Sequence, residues 1–144
     1  MSDDAGARRA ELAASLVALR ERIAKACTAA ERDSATVTLI AVTKTCPASD
    51  VRHLFELGVT DVGENRAAEA VTKHADCADL PLVWHFVGQL QRRKCRSVAS
   101  YADVVHSVDR PEIADALGGA AVGAGRVVAA LVQVSLDTAV AEVS

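Results

Sequence analysis

Four residues have types and spacings that could do chemistry: Lys44, Asn65, His85 and Ser107. Lys44 follows Thr-Val-Thr-Leu-Ile-Ala-Val-Thr, a run from Thr36 to Thr43 that is β-branched and apolar and has no polar face. Such a run suits a strand covered on both sides, as in a parallel sheet. The carboxyl end of a strand in a βα fold is where chemistry is placed. Alternation sets Ile40, Val42 and Lys44 on one face. A primary amine held against an aliphatic wall and ringed by small polar groups suits a carbonyl ligand, because a lysine there can form a Schiff base. Asn65 follows a short strand as Gly63-Glu64-Asn65, His85 lies inside Val83-Trp84-His85-Phe86-Val87, and Ser107 ends Val104-Val105-His106-Ser107. Each also has an ordinary reading: Asn65 as a helix cap, His85 as a hydrogen-bonded core residue, Ser107 as the start of a turn.

The elements that must position these residues alternate. An amphipathic helix from about Ala5 to Ala30 carries Leu12, Leu16, Leu19 and Ile23 on one face, with Ser2 to Asp4 as its cap. After the first strand, Pro47 opens a second helix with Val51, Leu54 and Phe55 as its buried face and Gly58 as its stop. Val59–Val62 is a strand, 66–75 a helix, Leu82–Gly88 a strand, 91–100 a helix and Val104–Val108 a strand. Asp109-Arg110-Pro111-Glu112 has the spacing of a capping box, opening a helix that runs to Leu117 and stops at Gly118-Gly119. A last strand is expected over 126–136, with the start of a sixth helix over 138–144. One helix, four βα units and a final strand demand parallel strands with right-handed crossovers. The fold class is α/β, either an open doubly wound sheet or part of a (β/α)8 barrel, which five strands are too few to close.

Composition narrows the function. The chain has 144 residues, 51% of them apolar and 3% aromatic, enough for one domain with a core of small aliphatic side chains. A net charge of −3 provides no global positive field for nucleic acid or an acidic membrane. No apolar run reaches the roughly 20 residues of a membrane span, and the polar N-terminus does not look like a signal peptide. Cys27, Cys46, Cys77 and Cys95 are widely spaced, as expected of reduced cytosolic thiols without a disulfide frame or a zinc site. Arg92, Arg93, Lys94 and Arg96 form a basic cluster that reads either as an anion site near a helix start or as a solvated face. No glycine-rich dinucleotide loop, P-loop or zinc-protease motif is present.

Taken together, Leu39-Ile40-Ala41-Val42-Thr43-Lys44 with Pro47, Phe55-Glu56-Leu57-Gly58, Gly63-Glu64-Asn65, Trp84-His85-Phe86-Val87-Gly88-Gln89-Leu90-Gln91 with Lys94, and His106-Ser107-Val108-Asp109-Arg110 closely resemble the pyridoxal phosphate homeostasis proteins. These form the YggS/PROSC family, related to the N-terminal barrel domain of alanine racemase. The resemblance implies a (β/α)8 barrel of the fold-type III class, here incomplete with about five parallel strands. It implies that Lys44 holds pyridoxal 5′-phosphate as a Schiff base, with Asn65, His85 and Ser107 lining the cofactor. The implied function is non-enzymatic cofactor binding in vitamin B6 homeostasis. Its implied setting is a cytoplasmic monomer that delivers cofactor to PLP-dependent apoenzymes and has no nucleic-acid or membrane partner. The alternatives are a racemase-like enzyme and a chain with no activity of its own. A racemase needs an opposing acid–base group, and the only tyrosine is Tyr101. Family chains are longer, and their later strands supply most of the phosphate cradle. Residues 1–144 therefore read as one alanine-racemase-N-terminal-like domain, truncated on its C-terminal side. Arg66 stands where many relatives carry tyrosine.

Overall fold

A computed structural model of the chain describes residues 2–136. Its elements are α1 (Ser2–Ala29), β1 (Ile40–Val42), α2 (Ala48–Glu56), β2 (Asp61–Glu64), α3 (Ala67–Asp76), β3 (Val83–Phe86), α4 (Cys95–Ala99), β4 (Val104–Val108), α5 (Pro111–Gly123) and β5 (Ala129–Val132), with single 3-10 turns at Ser34–Thr36 and Arg92–Lys94. β1 pairs with β2, β3 with β4 and β4 with β5, each in parallel and in chain order, as in a (β/α) barrel. The chain forms two compact units, Met1–Gly63 with Thr72–Val83, and Glu64–Val71 with Trp84–Ser144. The sixth helix expected over 138–144 lies outside the described residues.

In the first unit, α1 lies on α2 through a small core of Leu16, Leu54 and Val59, with Leu12, Leu39, Ala41 and Leu57 packed around it. Leu19, expected on the buried face of α1, is 36% exposed. The helix is instead fixed by its arginines. Arg8 grips the buried Asp50 carboxylate at 2.8 and 3.1 Å, and Arg20 reaches the carbonyls of Leu57 and Gly58 at 3.2 Å. The Asp50 hydrogen bond, ahead of the Glu11 bond and the Asp50 charge, raises the Arg8 guanidinium above its ordinary range. α2 ends at Gly58, whose φ of +83° suits a residue without Cβ. β1 and β2 pair in register, Ile40 with Asp61 and Val42 with Gly63.

β1 is shorter than the Thr36–Thr43 expected for it. Asp33 accepts the Ala35 amide at 2.9 Å and draws Ser34–Thr36 into a 3-10 turn, so a local side-chain bond wins over strand pairing. Nor is the strand covered on both faces, since Val42 is 49% exposed.

In the second unit, β3 pairs with β4 (His85 with Val104, Phe86 with Val105) and β4 with β5 (Val105 with Ala130, Val108 with Val132). Between those two β4–β5 pairs, β4 spends three steps and β5 two, so β4 carries an extra residue, a bulge. Asp103 ties the layer together: its carboxylate accepts from the Trp84 amide and from Arg126, both at 2.8 Å. Val98, Tyr101, Val105, Ile113 and Leu117 fill the core, with Trp84 edge-on to Tyr101 at 6.3 Å.

Four local expectations fail here. α5 does not stop at Gly118-Gly119. The two glycines are exposed in mid-helix, and the buried Ala121 beyond them repays another turn, which ends at Gly125 with φ +64°. The capping box does not form: Arg110 is the N-cap with Pro111 behind it, and Asp109 instead accepts from Arg110 at 3.2 Å. The expected helix 91–100 is a 3-10 turn followed by the five residues of α4. β5 is shorter than 126–136, and none of its residues is buried.

Candidate cofactor site

Lys44 sits two residues beyond β1, and its side chain is exposed. The Cys46 amide donates to the Thr43 carbonyl at 3.0 Å, closing a four-residue turn in which Thr45 has φ +65°. A positive φ at the third position is the mark of a type II turn, where glycine is preferred. A β-branched threonine there is a true outlier, with strain of about 1–3 kcal/mol. Lys44 is the second residue of this turn. On its upstream side the turn is anchored by the Thr43 amide on the Gly63 carbonyl, at 2.9 Å. From below, Lys73 on α3, only 5% exposed, donates its Nζ to the Thr43 carbonyl at 2.7 Å. A hydrogen bond from a charged group contributes about 1.5–3 kcal/mol, the same size as the strain at Thr45.

The other three expected residues belong to the second unit. Asn65 follows β2, and its backbone is clamped to the strand end that carries the Phe86-Val87-Gly88 sequence. The Val87 amide donates to the Glu64 carbonyl at 2.8 Å, and a Cβ built on Gly88 would lie 2.9 Å from the Asn65 Cα and closer still to its carbonyl oxygen. Gly88 is therefore required for this approach. The Asn65 Oδ1 is buried and has no hydrogen-bond partner. It does not cap α3, which removes the ordinary reading of this residue.

His85 is 6% exposed on β3, and its Nδ1 lies 2.8 Å from Nε2 of His106 on β4. One of the two rings must donate and the other accept, so the pair holds a proton between them. Burial first, and then His85, hold the His106 imidazole below its ordinary range. The core-histidine reading of His85 is met in that it is buried and bonded, although its partner is a second titratable ring. Ser107 is 5% exposed at the β4 bulge, and its Oγ has no partner. Buried polar groups are normally hydrogen-bonded, so an unpartnered amide oxygen and hydroxyl at two strand ends are open positions for a polar ligand.

The basic cluster is divided between two clefts of this unit. Arg92, Arg93 and Arg96 line an open cleft of about 1040 Å³ against α5. Lys94 lines a smaller one of about 240 Å³ with Arg66, Asn65 and Phe86. Sequence reading gave no individual role to four residues: Lys73, Thr45, and His106 and Gly88, which it quoted only within longer motifs. Lys73 had a legible signal, since Ala67, Ala70, Lys73 and Cys77 share the buried face of α3 at helical spacing. His106 is a polar residue beside Ser107 in a strand otherwise made of valines. Nothing local marks Thr45 or Gly88, whose roles depend on backbone that approaches from elsewhere.

No family model matches the chain. Curated relatives do. The chain is 48% identical over 106 residues to the pyridoxal phosphate homeostasis protein of Pseudomonas aeruginosa, an alignment covering 74% of this chain and 46% of that protein. It is 41% identical over 147 residues to that of Mycobacterium leprae, covering 92% and 57%. Among solved structures it is similar to PipY of Synechococcus elongatus with pyridoxal phosphate bound (TM-score 0.70, 36% identity, 81% of this chain and 55% of that one). It is also similar to an uncharacterised protein of Bifidobacterium adolescentis (TM-score 0.78, 29% identity, 87% and 55%). The chain spans about half the length of the curated relatives it matches. With its motifs in order and its βα units superposing on these structures, the chain is similar to the pyridoxal phosphate homeostasis proteins over about half of their length.

Proposed function

We propose that this chain binds pyridoxal 5′-phosphate through Lys44 and serves as a non-enzymatic carrier in intracellular vitamin B6 homeostasis. The observation that carries the proposal is the exposed primary amine of Lys44 on a braced turn at the end of β1, in a chain similar to PipY solved with pyridoxal phosphate. The first unit offers an amine, Lys44, that suits an aldehyde, and the second unit offers the unpartnered Asn65 Oδ1 and Ser107 Oγ, which suit polar groups. When bound, pyridoxal phosphate supplies an aldehyde that condenses reversibly with a primary amine. Lys44 provides that amine, Asn65 and Ser107 offer open hydrogen-bonding capacity, and His85 with His106 adds a ring pair able to give or take a proton.

A carrier reading is preferred over a racemase. Racemisation needs a second acid–base group facing the substrate. Tyr101 is 1% exposed and packed against Trp84, and burial, then the charge of Glu64, pushes its hydroxyl above the ordinary range. The proposed setting is one alanine-racemase-N-terminal-like domain, monomeric and cytoplasmic, that passes cofactor to PLP-dependent apoenzymes. No described helix is long and apolar enough to cross a membrane. The test is a titration of parent and Lys44→Ala with pyridoxal phosphate, followed by visible absorbance. A saturable band in the parent that is absent from the variant supports the proposal, and equal bands refute it. Sustained exchange of the alanine α-proton by the loaded protein would replace the carrier with an enzyme.

A further inference from the structure

We infer that Lys73 is a positioning residue for Lys44, holding the turn that presents its amine. The inference rests on the reading of Lys44 as the cofactor lysine. A lysine 5% exposed is rare, because its ammonium must leave water. On the buried face of α3, between Ala70 and Cys77, an aliphatic side chain would fill the space without that cost. A threonine at φ +65° is equally unfavoured where glycine would be free of strain. Both costly choices meet at one peptide. The Thr43 carbonyl accepts the Cys46 amide that closes the turn and the Lys73 Nζ that braces it, and Lys44 lies between Thr43 and the strained Thr45. Without the brace, the turn can relax toward geometries in which Thr45 is unstrained, and the Lys44 amine is then no longer held in one place.

Lys73→Met keeps the length and apolar stem of the side chain and removes the donor. Two measurements follow the turn. Hydrogen exchange of the Cys46 amide reads it without any cofactor, and the visible titration with pyridoxal phosphate reads what it presents. In Lys73→Met the Cys46 amide is expected to exchange about tenfold faster and the cofactor to bind about tenfold more weakly, which corresponds to about 1.4 kcal/mol. The Thr43 amide, bonded to Gly63 across β1 and β2, should change by less than about twofold. Adding Thr45→Gly to Lys73→Met should restore most of both losses, because glycine holds the positive φ unaided. Rescue of that kind would not follow if Lys73 merely stabilised α3. If Lys73→Met does not fold, Lys73→Gln, which keeps a neutral donor, carries the same readouts with smaller changes. The inference is overturned if Lys73→Met matches the parent in Cys46 exchange and cofactor affinity, or if Thr45→Gly rescues neither. Should Lys44→Ala keep the visible band, the cofactor reading fails by itself, and the Cys46 exchange alone decides whether Lys73 holds the turn.

Discussion

Gly88→Ala tests the packing that holds Asn65 in place. The added methyl would sit 2.9 Å from the Asn65 Cα and 3.0 Å from its carbonyl carbon, and closer still to its oxygen. All three are backbone atoms, so no side chain can swing aside. The two segments are also held together by the 2.8 Å bond from the Val87 amide to the Glu64 carbonyl. Ordinary contact is restored only if the strand ends separate, which stretches that bond. Overpacking of this kind costs about 1–3 kcal/mol. For a chain of this length each kilocalorie lowers Tm by about 2–4 °C, so a fall of about 2–12 °C is expected. Asn65 should move with it, and affinity for pyridoxal phosphate should drop. Gly119→Ala is the matched control. Nothing lies within 4 Å of its added Cβ, in mid-helix, and the change should stabilise by about 0.5–1 kcal/mol. Thermal unfolding by circular dichroism reads both variants. A Gly88→Ala protein with the parent's Tm and cofactor affinity would refute the reasoning.

Two further predictions concern the second unit. His106 is held below its ordinary range in the folded chain, so the unfolded chain takes up its proton first as pH falls. Its neutral form therefore contributes stability above about pH 6.5 that is lost on acidification through the folded value. His106→Gln should flatten the fall of Tm below pH 6.5, and an unchanged slope counts against the paired-histidine description. β5 and its flanks expose Val127 (94%), Val132 (77%) and Val134 (74%) on an apolar strand, a surface that invites pairing with other chains. Val132→Lys with Val134→Glu should lower light scattering at high concentration while shifting stability by less than about 1 kcal/mol. Scattering equal to the parent's would show that the surface is inert.

The strand and helix order was legible because each apolar run is short, β-branched and punctuated by glycine or proline. Val104–Val108 is found with the bounds its sequence suggests. The departures arise where a local pattern meets a competitor outside its window. Asp33 captures the start of the first strand, the burial of Ala121 carries α5 through two glycines, and Arg110 occupies the Asp109 side chain that would have closed a capping box. Lys44, Asn65, His85 and Ser107 stood out as polar residues at the ends of apolar runs. The groups that brace or pair with them did not, because the Lys73–Thr43 bond, the His85–His106 pair and the Gly88–Asn65 approach each join residues at least 21 positions apart.

Borohydride reduction of the protein with pyridoxal phosphate, followed by peptide mass mapping, tests the central claim most directly, because it fixes the cofactor to whichever lysine holds it. The chain offers four: Lys25, Lys44, Lys73 and Lys94. The phosphopyridoxyl mass is expected on the peptide containing Lys44, at near-stoichiometric yield with cofactor at modest excess, and on no other lysine to a comparable extent. Label spread across Lys25 and Lys94, or absent from Lys44, would contradict the assignment of the cofactor to this turn.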